Sequence, residues 1–144
     1  MIRAIIFDYF GVICSDEFFQ SVRLSGDETA AFDDLSVHVN NGDISWTDFC
    51  GQIAEKTGLS IEQVKQQYQA LQLNAGLLAA IEQLKQSYKV ALLTNASSEH
   101  IRPMLATAGI DQLFDELIIS SEVHLVKPQP AIYKQAAKQL GLEG

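Results

Sequence analysis

Cysteine is scarce in this chain: 144 residues hold two, Cys14 and Cys50, in no CxxC or metal-ligand spacing. That excludes a thiolate metal centre and makes a reducing cytoplasm the expected compartment. Both thiols read as buried and inert, Cys14 included although it lies near the candidate site below. Histidine is equally sparse, and His38, His100 and His124 make no i, i+4 pair, so no zinc site is expected. Positive charge is also in deficit. With 10 basic against 18 acidic side chains the formal net charge is −8, and no basic cluster offsets it, which excludes nucleic acid as a partner. No apolar run approaches the roughly 20 residues needed to span a bilayer, so no membrane partner is expected. Asp8 interrupts the N-terminal stretch that would otherwise read as a secretory leader.

What is present is an ordinary globular composition, 47% apolar and 19% charged. A chain of this length hides about two thirds of its unfolded surface, enough for one compact unit with a small insert. The organising stretch is Ile2 to Ile13. Its run Ala4 to Phe7 is unbroken, apolar and rich in β-branched and aromatic side chains, which predicts a strand buried on both faces as in a parallel sheet. Asp8 stands where that run stops. A second run, from about Tyr88, ends at Thr94 and Asn95, and a third, Phe114 to Ser120, leads to Lys127 before Pro128 and Pro130. A carboxylate, a hydroxyl and an ammonium thus fall at or beyond the C-terminal ends of successive strands, where open α/β sheets bind ligands.

Between the first two strands the pattern is helical. Short helices are predicted over Asp16 to Leu24 and Asp27 to Val39, followed by the turn signal Asn40-Asn41-Gly42-Asp43. Ser45 with Asp48 resembles a capping box and opens a helix ending near Gly58, with Trp46, Phe49, Ile53 and Ala54 on one face. Trp46 reads either as a substrate-facing aromatic or as a core residue pinning the insert's helices; its periodicity favours the second. Ser60 with Gln63 makes a full capping box for Ile61 to Leu73, and Asn74 caps Ala75 to Gln86, which crosses to the second strand. Ser97 or Ser98 caps the next helix, in which Pro103 demands either a start close to Arg102 or a kink. The last helix runs from Ala131 to Leu140. The expected architecture is a Rossmann-like parallel sheet formed by residues 1–15 and 74–144, with residues 16–73 as a helical insert.

These motifs resemble the haloacid dehalogenase (HAD) superfamily. Asp8-Tyr9-Phe10-Gly11-Val12 matches its first motif except at the second acid, Leu92 to Ser97 matches the second, and Val126 to Tyr133 the third. Asn41 to Ser45 and Asn95 to Ile101 are similar to the branch of small sugar-phosphate phosphatases and epoxide-hydrolase phosphatase domains. The resemblance implies that Asp8 is the nucleophile and that Thr94, Asn95 and Lys127 hold the transferring phosphoryl group. It also implies Mg²⁺ on an Asp8 carboxylate oxygen and the Phe10 backbone carbonyl, a small phosphorylated metabolite as substrate, and the insert as a cap over the site.

Two departures qualify that expectation. Phe10 stands where these phosphatases carry an acid that protonates the leaving group, and the strand bearing the acidic fourth motif is not among the 144 residues. A truncated chain of impaired activity is therefore expected, with the first strand as an open edge inviting a homodimer or swap. Phe10 keeps a metal-independent 2-haloacid dehalogenase as one alternative. The absent fourth motif keeps another, a non-catalytic binding or assembly module on the same fold.

Overall fold

The computed structural model describes residues 1–15, 26–69 and 72–142. The helix expected over Asp16 to Leu24 lies outside the described residues. In chain order the elements are β1 (Ala4–Phe7), α1 (Gly26–Asn41), α2 (Trp46–Thr57), α3 (Ile61–Gln69), α4 (Ala75–Leu84), β2 (Lys89–Thr94), α5 (Ser98–Thr107), a 3₁₀ turn (Asp111–Leu113), β3 (Glu116–Ile119), α6 (Ser120–Val123) and α7 (Pro130–Gln139).

The three strands form one parallel sheet in the order β1-β2-β3, with Phe7 opposite Leu92 and Thr94 opposite Ile119. From Val90 to Thr94, β2 is buried, and its side chains alternate between two apolar clusters as a pleated strand requires. Val90 and Leu92 pack with Ile81, Ile101 and Leu105 of α4 and α5, whereas Ala91 and Leu93 pack with Ile118 and with Ile132 and Ala136 of α7. Helices on both faces are what crossover connections between parallel strands produce.

β1 departs from the expectation of a strand buried on both faces. It is half-buried, and Ile6 is 41% exposed. The cause is its position: β1 pairs with β2 on one side and with no other strand among the described residues.

Between β1 and β2, helices α1 to α3 gather around their own cluster of Leu35, Val39, Phe49, Cys50, Ile53, Val64 and Tyr68. Local capping sets their starts. Asp48 N–H donates to Ser45 Oγ at 3.0 Å, and Ser60 and Gln63 close the reciprocal box at 2.8 and 3.1 Å. α3 ends earlier than expected, because Leu73 pairs with Cys14 in an isolated antiparallel bridge. Ser15 N–H donates to Gln72 O and Asn74 N–H to Ile13 O, both at 2.8 Å, so the two chain segments joining sheet and insert are bonded to each other.

Pro103 left two alternatives, a start close to Arg102 or a kink, and the first does not hold: α5 starts at Ser98 and carries the proline within it. Its first turn is held from outside: Ser98 N–H donates to Ser121 Oγ at 2.8 Å, and His100, Ile101 and Leu105 are buried. That tertiary support compensates the bond the proline cannot donate. The third strand also ends one residue early, at Ile119, since Ser120 begins the short α6.

α6 docks on the end of α1. Ser120, wholly buried, donates from Oγ to Asn40 O at 2.6 Å and accepts from Ala96 N–H at 2.9 Å. His124 Nδ1 lies 2.9 Å from Asn41 O, and a side chain on Gly42, at φ +80°, would place its Cβ 2.7 Å from Ser121 O. Gly42 is thus required both by its backbone angle and by this close approach.

Candidate active site

Asp8 follows β1 directly. The chain then leaves the sheet in a tight turn in which Ile13 and Cys14 N–H both donate to Tyr9 O, at 2.8 and 3.0 Å, with Gly11 at φ +73°. Because Phe7 lies opposite Leu92, Asp8 and Thr94 both fall at the carboxyl-terminal edge of the sheet. Asp8 Oδ1 accepts from Tyr9 N–H at 2.7 Å, and Asp8 Oδ2 stands 2.7 Å from Lys127 Nζ. The sequence-predicted carboxylate and ammonium, 119 positions apart, are therefore in contact.

Lys127 is placed by Asn95. The side-chain amide of Asn95 bonds both the N–H and the carbonyl of Lys127, which ties the lysine loop to the end of β2. Thr94 ends that strand with its hydroxyl fully buried and without a hydrogen-bond partner among the described residues. A buried hydroxyl left unbonded is costly, and such groups in native folds often await a ligand.

Between the insert and the loop after β2 lies a cavity of about 280 Å³, which reaches the site through Phe10 and Asn95 and whose described lining includes none of Asp8, Thr94 and Lys127. Phe10 and Asn95 line it from below, Trp46, Phe49 and Tyr68 from the insert, and His100 from α5. Trp46 performs the core role its periodicity suggested and also faces the cavity. It stacks on Phe49 (5.3 Å, 21°) and on His100 (4.2 Å, 16°) and meets Tyr68 edge-on (4.9 Å, 90°). Burial lowers the His100 pKa to about 4 and raises that of the Tyr68 phenol, so both are neutral near pH 7. Cys14 and Cys50 are buried and form no disulfide, and burial pushes the Cys50 thiol up to about 11, which fits inert thiols.

The sequence did not single out His100 as part of a site, nor Ser120. His100 gains its meaning from Trp46, 54 positions away, and no local pattern carries that. Among the described residues no three His, Cys, Asp or Glu side chains gather closely enough to hold a metal, and no helix is long and apolar enough to cross a membrane.

Known proteins are similar to this chain in sequence and fold. A phosphoglycolate phosphatase from Pasteurella multocida is 37% identical over 65 residues, 44% of this chain and 29% of the relative. (S)-2-haloacid dehalogenase 2 from a Pseudomonas species is 38% identical over 63 residues, 43% of this chain and 28% of the relative. The aligned stretches thus span less than a third of either curated protein. A HAD family enzyme from Bacteroides thetaiotaomicron, solved with magnesium and inorganic phosphate, superimposes with a TM-score of 0.77 at 20% identity, covering 99% of this chain and 80% of that one. That likeness establishes the fold. A family model for haloacid dehalogenase-like hydrolases matches residues 2–144, and with a carboxylate, a hydroxyl and an ammonium set at the ends of parallel strands, this chain belongs to that family.

Proposed function

We propose that the site performs nucleophilic hydrolysis of a small phosphorylated metabolite through Asp8. The observation that carries this reading is the 2.7 Å contact between Asp8 Oδ2 and Lys127 Nζ. A half-exposed ion pair adds little to stability, so its value lies in holding a carboxylate and a cation together at the carboxyl-terminal edge of the sheet. In the first step an Asp8 oxygen attacks phosphorus, the ester P–O bond breaks, and the alcohol oxygen leaves with the electron pair. Water then attacks the aspartyl phosphate, releasing inorganic phosphate and restoring Asp8. Lys127 offsets charge on the phosphoryl oxygens, Thr94 donates its hydroxyl to one of them, and Asn95 keeps Lys127 in place.

One lysine does not balance a carboxylate and a phosphate together. The Asp8 carboxylate and the Phe10 carbonyl are two oxygen donors, and Mg²⁺ is commonly held by one or two carboxylates, with water and substrate phosphate completing its shell. These two donors are what the described residues offer, with no third acidic side chain gathered beside them, so an ion would be held loosely and mostly by water and substrate. When bound it would neutralise the approach of the two anions. Phe10 cannot act as general acid, a role worth about 10²- to 10⁴-fold, so substrates with poor leaving groups turn over slowly. The insert, lying across the cavity, serves as the cap that selects the substrate.

Phe10 also supports a second reading, 2-haloacid dehalogenation. There Asp8 attacks the halogen-bearing carbon, halide leaves, and water hydrolyses the ester without a metal. One experiment separates the two. Phosphate release from monoesters that requires Mg²⁺, is blocked by beryllofluoride and is lost in Asp8→Asn supports phosphatase action. Halide release from 2-chloropropionate in excess chelator supports the alternative, and loss of neither in Asp8→Asn rejects covalent catalysis by this carboxylate.

A further inference from the structure

Lys127 reaches Asp8 from a segment whose anchors can be followed residue by residue. At its start Ser120 Oγ accepts from Ala96 N–H at 2.9 Å, and Ser121 N–H donates to Ala96 O at 3.4 Å. At its end Asn95 bonds both backbone groups of Lys127. Glu122, paired with Arg102 of α5, adds a third hold from the sheet domain. The turn beyond it is held from elsewhere. His124 takes the left-handed conformation, φ 53° and ψ 34°, which a residue other than glycine keeps only where its surroundings impose it. Its Nδ1 lies 2.9 Å from Asn41 O, and because a carbonyl only accepts, the ring donates to the last residue of α1, in the insert.

The neighbours of Asn41 close on the same segment. Asn40 O accepts from Ser120 Oγ at 2.6 Å, and a Cβ on Gly42 would lie 2.7 Å from Ser121 O and 3.3 Å from His124 Cε1. Three consecutive residues of the insert thus meet the stretch that leads to Lys127. The Asp8 pair cannot fix the ammonium alone, since a solvent-screened ion pair is weak and the lysine stem has many rotamers. The backbone must therefore aim it. We infer that His124 is a positioning residue: its bond to Asn41 fixes the turn that sets Lys127 opposite Asp8, so that seating of the insert on α6 and placement of the lysine are one event. This role rests on the phosphatase reading for its reaction, though not for its geometry.

Three variants of the full chain test it. His124→Gly keeps the left-handed turn without steric cost and removes only the ring. Gly42→Ala drives a methyl against Ser121 O from the insert side. Gly58→Ala is the control: it too lies in the insert, at φ +71° against +80° for Gly42, but its Cβ would meet nothing within 4 Å, so it carries the backbone penalty without the collision. Two readouts are taken, Mg²⁺-dependent hydrolysis of phenyl phosphate and amide hydrogen exchange at Lys127 N–H. His124→Gly and Gly42→Ala should each lower kcat by about 10-fold with KM within about 2-fold. In both, Lys127 N–H should exchange about 10-fold faster than in the unmutated chain, and Gly58→Ala should change neither readout. Unchanged exchange in His124→Gly overturns the inference whatever the kinetics. So does faster exchange with unchanged kcat, a loss confined to KM, or a Gly58→Ala chain that behaves like Gly42→Ala. An unmutated chain that hydrolyses no ester would sink the phosphatase reading, and exchange at Lys127 would still decide whether His124 places the lysine.

Discussion

Asn95 and Lys127 clasp each other by two hydrogen bonds: Lys127 N–H donates to Asn95 Oδ1 at 2.9 Å, and Asn95 Nδ2 donates to Lys127 O at 3.2 Å. Both ends of the Asn95 amide are thereby engaged by the lysine loop. In the proposed mechanism this asparagine acts through Lys127, as a positioning residue. Asn95→Ala should lower kcat/KM by about 10- to 100-fold, since a displacement near 1 Å costs on that order. Two neutral hydrogen bonds in a half-buried setting contribute about 1 kcal/mol each, so unfolding stability should fall by no more than about 2 kcal/mol. Steady-state kinetics beside urea denaturation check this; a large stability loss with unchanged kinetics would reassign Asn95 to scaffolding.

Lys127 itself should show the same imbalance more sharply. Removing the cation by Lys127→Met takes away the charge that faces the reacting group, and rate losses of about 10²- to 10³-fold are usual for such groups. Its partner Asp8 is 41% exposed, so solvent screens the pair and the stability change should stay within about 1 kcal/mol. Lys127→Arg keeps the charge but not the compact ammonium, and should recover part of the activity only.

Local signals in the sequence located the parts of this site, and non-local ones assembled it. Ser45, Ser60 and Asn74 were legible as caps because a cap and its target lie three residues apart. Asp8, Thr94 and Lys127 were legible because apolar runs stop at or shortly before them. The half-burial of β1 was not, since four apolar residues look alike on a central and an edge strand. Nor was the bond from Ser120 to Asn40, which spans 80 positions and depends on how the insert closes on the sheet. α3 stops before Leu73 for the same kind of reason: a bridge to Cys14 competes with helical propensity and wins.

Ser120 makes that non-local coupling testable. Its hydroxyl bridges Asn40 O at the end of α1 and Ala96 N–H in the loop after Thr94, and it is completely buried. Ser120→Ala would strand both backbone groups away from water, at a cost of about 1–3 kcal/mol. Chemical denaturation should show that loss. Ser121→Ala, at a half-buried position with one bond to Ser98 N–H, should cost less.

The open side of β1 carries an exposed Ile6 in a row of backbone groups that no other strand pairs among the described residues. Edges of this kind recruit a second copy unless charge or proline blocks them. The 144-residue chain should therefore show concentration-dependent dimerisation by light scattering, and Ile6→Lys should suppress it. A monomer at all concentrations, equal for both chains, would remove the edge as an association surface.

His100 should govern stability in mild acid. Packed against Trp46 and Tyr68, it has a pKa lowered to about 4 by desolvation, against 6.5 for an imidazole in water. Above that ordinary value the ring is neutral folded or unfolded and contributes no pH dependence. Between about 6.5 and 4 the unfolded chain takes up a proton that the folded chain refuses, so stability falls as pH falls, by at most about 1.4 kcal/mol per unit. The full loss is on the order of 3 kcal/mol, and below pH 4 this slope ends as the folded ring protonates too. His100→Phe keeps the stacking surface and removes the titration. Urea unfolding at pH 7, 5.5 and 4.5 should show the unmutated chain losing stability relative to His100→Phe at each step. Parallel curves for the two would mean that the ring reaches water in the folded protein.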